Sequence, residues 1–258
     1  MDLRLPEPPA RYRSASQRAR VATEAWAAAN VPCHMCESDS LGELPANTPV
    51  SDLHCQSCGN HVQLKASRHR CRIITNSAYE KKAEAFRSRT LPDYLLLHYD
   101  ADRWAVRSLS VLASHFITPD RVSARKPLRA TAERPGWVGS TIDLRGLPHD
   151  ALIPVIVDGQ VRPVEEVRTT YARFIGLRRK PLTSSAWMRD VLTHVRTLAP
   201  IIGTRFTLQE LYQQARADLC ARHPNNRHVD DKIRQQLQVL RDVGVLAFES
   251  RGVYRLMA

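Results

Sequence analysis

No run of apolar residues in this chain approaches the roughly 18 that a membrane-spanning helix requires. The stretch from Met1 to Arg13 is charged and proline-bearing and lacks the apolar core of a targeting signal. Both absences point to a cytoplasmic protein with no membrane partner. Acidic residues are short as well, with 26 Asp and Glu against 38 Lys and Arg and a formal net charge of +12. An excess of that size on a folded chain favours a polyanionic partner, the alternative being a merely basic soluble protein. Internal repeats and low-complexity tracts are missing, so nothing points to a repeat array. With 258 residues, 43% of them hydrophobic, the chain can bury one large core or two small ones, and two domains are expected.

Cysteine is scarce, but its six copies are not scattered. Four fall in Cys33-His34-Met35-Cys36 and Cys55-Gln56-Ser57-Cys58, with 18 residues between the pairs. Three disulfides would use all six, yet in a reducing compartment this spacing reads as a four-thiolate zinc site. Four thiolates close the tetrahedron, so the zinc is expected to be structural, without an open position for catalysis. A redox dithiol or unrelated free thiols are the alternatives. His34 and His54 lie close enough in sequence to replace a ligand. Cys71 and Cys220 have no sequence partner and are expected to be ordinary buried or half-exposed thiols.

The second cysteine pair sits inside the most informative stretch, Pro49 to Lys65. Pro49-Val50-Ser51-Asp52 precedes it, and Val62-Gln63-Leu64-Lys65 follows as an alternating strand with Gln63 and Lys65 on one face. If the segments flanking the cysteine turn pair as a hairpin, Asp52, Gln63 and Lys65 converge, which is the layout of a metal-dependent phosphodiesterase.

Around that centre the chain reads as alternating elements. A helix capped by Ser14 or Ser16 runs to Ala29 with Ala22, Ala25, Trp26 and Ala29 as its apolar face, and Arg11, Arg13, Arg18 and Arg20 are either phosphate contacts or a solvated basic face. A charged helix is expected from Ser77 to Arg89, a buried strand from Pro92 to Tyr99, its neighbour from Trp104 to Leu109, and a further pair from Ile153 across the turn Asp158-Gly159. Between them, Pro119 to Pro148 reads as a long, mostly irregular segment, and loops of that length are uncommon unless they do something. After a linker from Arg178 to Ser185, three helices (Ala186 to Leu198, Leu208 to Arg222, Val229 to Val243) and a hairpin (Val245 to Glu249, Val253 to Leu256) form a winged-helix pattern. Ile233, Leu237 and Leu240 make the buried stripe of the third helix, leaving Asp231, Arg234, Gln235, Gln238 and Asp242 opposite. Arg and Gln pair bidentately with guanine and adenine edges, so that face suits a major groove, with Arg251 on the wing; a protein-docking winged helix is the alternative.

These residues carry a resemblance over nearly the whole chain. Pro49-Val50-Ser51-Asp52, the two cysteine pairs, Arg125-Lys126-Pro127-Leu128, Gly136-Trp137-Val138-Gly139, Ile142-Asp143-Leu144, Asp158-Gly159-Gln160-Val161-Arg162 and Lys232-Ile233-Arg234-Gln235-Gln236-Leu237-Gln238 resemble the DpnI family of restriction endonucleases, which cut only adenine-methylated DNA. The resemblance implies an α/β, restriction-endonuclease-like PD-(D/E)xK core with its zinc site over residues 1–182 and a winged helix over residues 183–258. It also implies magnesium-assisted cleavage of double-stranded DNA at G-A-T-C sites with methylated adenine, read by both domains, and a monomer is expected. Asp52, Gln63 and the Leu64 carbonyl then become the expected ligands of the magnesium, which takes oxygen donors, and Lys65 the residue that orients a water and offsets developing charge. Arg125, Lys126, Arg234, Gln235, Gln238 and Arg251 become the expected DNA contacts. Trp137 becomes the methyl-adenine contact, a large ring covering a methyl group, with a buried core tryptophan as the alternative.

One departure falls in the catalytic motif. The family pattern places an acidic residue two positions before the lysine, whereas this chain has Gln63-Leu64-Lys65. A glutamine carbonyl remains an oxygen ligand, but a formal charge is gone and the ion should be held less tightly. Modification-dependent nucleases resembling this superfamily also carry glutamine there, so an active enzyme is expected. The rival is a non-cleaving reader of methylated DNA, and a zinc-stabilised protein-interaction module is a weaker third reading.

Overall fold

Ser14 opens the first helix, its Oγ accepting the Gln17 amide at 3.3 Å, and α1 runs Ala15–Asn30. The structure is a computed structural model that describes residues 1–45 and 48–258. Helix α1 buries Ala19, Ala22, Thr23, Trp26 and Ala27 and leaves Ala29 exposed, so its inward face is rotated from the expected Ala22, Ala25, Trp26, Ala29 stripe. The reason is Thr23, whose hydroxyl donates to the Ala19 carbonyl at 2.8 Å and can therefore enter an apolar interior. The Trp26 indole likewise donates to the Asp2 carbonyl at 2.7 Å.

The chain then forms β1 (Gly42–Glu43), β2 (Leu53–His54), β3 (His61–Ser67), β4 (Ile73–Ala78), α2 (Tyr79–Ser88), β5 (Asp93–Asp100), β6 (Ala105–Leu112), β7 (Val122–Ala124), β8 (Gly139–Asp143), β9 (Leu152–Val157), β10 (Gln160–Val161) and α3 (Val164–Phe174). Seven strands make one mixed sheet in the order β1-β2-β3-β5-β6-β9-β10. Strands β3 and β5 are parallel, with Gln63 opposite Tyr94 and Lys65 opposite Leu96. A parallel pair needs a crossover, and residues 68–92 supply it through β4 and α2. Tyr94, Leu95 and Leu97 of β5 are fully buried, as their unbroken apolar run requires of a central strand.

The expected irregular segment between Pro119 and Pro148 is in part a second sheet, β4-β8-β7, antiparallel throughout. Its strands were illegible because Val122-Ser123-Ala124 and Gly139-Ser140-Thr141 are short and carry little apolar bulk, and β8 finds its partner β4 more than sixty residues earlier.

Further along lie α4 (Leu182–Leu198), β11 (Arg205–Thr207), α5 (Leu208–Arg222), α6 (Val229–Asp242), β12 (Leu246–Ser250) and β13 (Val253–Leu256), with the strands ordered β11-β13-β12. Helix α4 begins at Leu182 rather than Ala186, with Pro181 at its N-cap. Thr183, Ser184 and Ser185 suggest a linker by composition, but they lie in the first turn of the helix, and Ser185 is buried. Thr207 and Glu210 form a reciprocal capping box that starts α5. In α6, Ile233, Leu237 and Leu240 are buried together with Val229 and Gln236. Two compact units result, Met1–Arg145 with Asp150–Ala172, and Gly146–His149 with Arg173–Ala258. Among the described residues no helix is long and apolar enough to cross a membrane.

Candidate active site

The two-stranded hairpin of β2 and β3 positions the centre. Leu53 pairs with Val62 and His54 with His61, the Asp52 amide donates to the Val62 carbonyl at 3.0 Å, and the Cys55 amide donates to the Asn60 carbonyl at 2.8 Å. Gly59, at φ +72°, supplies the left-handed residue the turn needs. The Asp52 carboxylate then reaches across to β3, its Oδ2 accepting the Leu64 amide at 2.8 Å. Asp52, Gln63 and Lys65 are thereby brought together. Burial pushes the Lys65 ammonium below its ordinary pKa, opposed by the charges of Asp52 and Glu24.

Two further charged side chains join them. Glu24, on α1, has its carboxyl pushed up by burial, with Arg20 opposing and Asp52 reinforcing the shift; the Arg20 Nη1 to Glu24 Oε1 distance is 3.7 Å. Lys82, on α2, is 0% exposed; its Nζ donates to Gln63 Oε1 at 3.2 Å and to the Tyr94 hydroxyl at 2.7 Å. Burial, seconded by Lys65 and opposed by Asp52, pushes its pKa down to about 7. Sequence reasoning missed both. Glu24 directly follows the buried Thr23, and Lys82 lies three and four positions before the buried Ala85 and Phe86, which was the only available signal. The donors gathered here, Asp52, Glu24 and the Gln63 carboxamide, are oxygens, and that chemistry fits a hard divalent cation.

The four cysteines meet at the hairpin turn. Their Sγ atoms all lie within 4.8 Å of one another, with Cys33 to Cys58 at 3.7 Å and Cys36 to Cys55 at 3.6 Å. A tetrahedron with zinc–sulfur arms of 2.3 Å has edges of about 3.8 Å, so the cluster could hold zinc. Disulfide bonding would need about 2.05 Å, and all six cysteines are free. His34 is engaged elsewhere, its Nε2 lying 2.8 Å from Asp93 Oδ2 in a buried group with Asn60 and Tyr171. Arg168 clamps the first cysteine loop to α3, its Nε donating to the Cys33 carbonyl at 3.1 Å and its Nη2 to the Ser38 carbonyl at 3.2 Å. Cys71 and Cys220 are both exposed, contrary to the expectation of buried or half-exposed thiols; each sits on a polar surface segment that its own size could not reveal.

Trp137 is half-buried, not a core tryptophan. Hydrogen bonds from Arg125 N to Gly139 O (2.8 Å), Leu128 N to Trp137 O (2.9 Å) and Gly136 N to Leu128 O (3.0 Å) extend the β7–β8 pairing and hold its loop. The indole lies over Gly139, where an added Cβ would meet its Cη2 and Cζ3 at 2.8 Å, so any larger residue there would displace the ring. Arg125 and Lys126 are exposed beside it. In the second unit Arg234, Gln235 and Gln238 are exposed on α6, and Arg251 is exposed at the β12–β13 turn. Arg234 is held by an ion pair to Asp231 and donates to the Tyr212 hydroxyl at 2.9 Å, while Lys232 Nζ donates to Gln235 Oε1 at 2.7 Å.

Comparison with known protein families finds two matches that together run along nearly the full chain. Residues 2–180 match the DpnI, Dam-replacing family, and residues 183–256 match the Dam-replacing HTH domain.

Proposed function

Because the chain belongs to the DpnI, Dam-replacing family, we propose that it is a methylation-dependent restriction endonuclease. In this reading it is a PD-(D/E)xK-type, cytoplasmic, monomeric enzyme that cleaves double-stranded DNA at G-A-T-C sites with methylated adenine. The observation that carries the reading is the Asp52 carboxylate crossing from one hairpin strand to the Leu64 amide of the next, beside Gln63 and Lys65. Asp52, Gln63 and the Leu64 carbonyl would hold magnesium, with Glu24 as a second carboxylate at hand. When bound, the ion supplies Lewis-acid charge to the scissile phosphate. Lys65 donates hydrogen bonds to the attacking water or to the phosphate, and its burial makes that proton easier to give up. Trp137 covers the methyl group, Arg125 and Lys126 meet the backbone, and Arg234, Gln235, Gln238 and Arg251 read or grip DNA from the winged helix. We assign the nuclease role to residues 1–182 and DNA reading to residues 183–258.

A second reading, a non-cleaving reader of methylated DNA, is favoured by one feature, the neutral Gln63 bonded to a buried lysine. Magnesium-dependent cleavage of methylated plasmid separates the two, and no cleavage under any divalent metal would select the reader.

In this reading zinc is structural, bound at one equivalent per chain. Its binding free energy is on the order of 10 kcal/mol in small four-ligand sites and is realised only in the folded form. Cys55→Ser should therefore lose the metal, lower Tm and abolish cleavage together, because the turn it closes joins the segments that carry Asp52, Gln63 and Lys65. Elemental analysis of the purified protein checks this; a folded, active, zinc-free preparation would refute it.

A further inference from the structure

Gln63, Lys82, Tyr94 and Asn76 come from four different elements, β3, α2, β5 and β4, and meet in the interior. Lys82 donates to Gln63 Oε1 and to the Tyr94 hydroxyl, which also accepts from Asn76 Nδ2 at 3.1 Å. Lys82 Nζ also stands 5.1 Å from the centroid of the Tyr94 ring. Gln63 is 5% exposed and Asn76 is 7% exposed. Charged or neutral, the lysine nitrogen donates here, and the carboxamide turns its oxygen, not its nitrogen, to Lys82. Among the described residues Lys82 has no ion pair, and an unpaired lysine in a core is costly where a leucine or methionine would be cheap. What the lysine has there is two acceptors, and one of them is the side chain that stands where the family pattern places an acid.

We propose that Lys82 is a positioning residue for Gln63, and that the two form one unit in which an amide oxygen, fixed by a buried amine, replaces a metal-facing carboxylate. Resting on the nuclease reading only for the identity of the metal, the assignment accounts for the glutamine. A carboxylate at position 63 would pair with Lys82 across the same short distance, and its charge would be satisfied by the lysine rather than by an ion. Glutamine keeps an oxygen with two lone pairs, one used by Lys82 and one left over. The amine on one side also draws charge from that oxygen, so the unit holds a metal in the right place but weakly.

The test uses full-length, zinc-loaded protein without DNA and reads Mn2+ binding from the EPR signal of the free ion. Gln63→Glu alone should bind Mn2+ within about threefold of the wild type, whereas Gln63→Glu combined with Lys82→Met should bind about tenfold more tightly, because the new carboxylate has lost its competing partner. Lys82→Met alone should fold with a Tm close to that of the wild type, because removing a buried amine offsets the cost of leaving the Gln63 oxygen without its donor. It should nevertheless need about tenfold more magnesium for half-maximal cleavage, with KM for DNA unchanged, and Lys82→Gln, which restores a donor, should recover the wild-type requirement. If Lys82→Met does not fold, the comparison of Gln63→Glu with wild type and with Gln63→Glu/Lys82→Gln still decides. Mn2+ binding by Gln63→Glu alone as tight as by the double variant overturns the assignment, as does a lowered Tm in Lys82→Met with no change in metal requirement. A wild type that cuts no DNA while the Mn2+ order holds defeats the nuclease reading and leaves the unit standing.

Discussion

Full-length protein with magnesium should cut a plasmid carrying methylated G-A-T-C to completion and leave the unmethylated plasmid intact. The physical basis is modest per contact. One buried methyl group is worth about 0.8 kcal/mol by area, only a few-fold in affinity. Strong discrimination therefore needs several such contacts multiplied. The palindrome offers two methyl groups, and the chain offers two reading elements, the half-exposed Trp137 on its laddered loop and the exposed Arg234–Gln238 face of α6. Removing residues from Thr183 onward should leave a nuclease that still prefers methylated DNA, but less sharply and with weaker binding. Trp137→Ala should reduce the preference further than it reduces cleavage of a saturating methylated substrate. Equal cleavage of both plasmids by the intact protein would overturn the methylation reading.

Loss of either charged residue of the hairpin should be nearly complete in its effect on rate. Asp52→Ala and Lys65→Ala are each expected to lower cleavage by about a thousandfold or more, the scale of removing a group that acts directly on the reacting phosphate or water. Binding to methylated DNA should survive, because the groups proposed to grip it lie elsewhere. Asp52 needs one more control, since its Oδ2 also accepts the Leu64 amide. Truncating it leaves that amide without its partner at a cost of about 1–3 kcal/mol. Asp52→Asn retains an acceptor and removes only the charge, so it should keep Tm and zinc content while losing cleavage as severely as Asp52→Ala. Near-normal cleavage by Asp52→Asn would mean that the carboxylate serves the hairpin and not the chemistry.

How much of this was legible beforehand follows from what each feature depends on. The cysteine pairs declare themselves by interval, because four thiolates around one metal need two close pairs and a chain long enough to bring them back. The face shared by Gln63 and Lys65 follows from the two-residue repeat of a strand, and the winged helix from three amphipathic segments and a hairpin whose stripes need no distant partner to be seen. These are local properties, and the amino-acid order alone determines them. Tertiary structure alone decided the rest. Whether Thr23 or Ala29 turns inward on α1 depends on what α1 packs against and on a hydroxyl finding its own backbone acceptor. Strand β8 exists because β4 offers it an edge from far away in the chain, and β7 then adds to the other edge of β8. Glu24 and Lys82 look like surface charges on charged helices until packing carries them to Asp52, Gln63 and Lys65. Burial then shifts the protonation of both, and the charge of a site is summed over groups that no spacing rule connects.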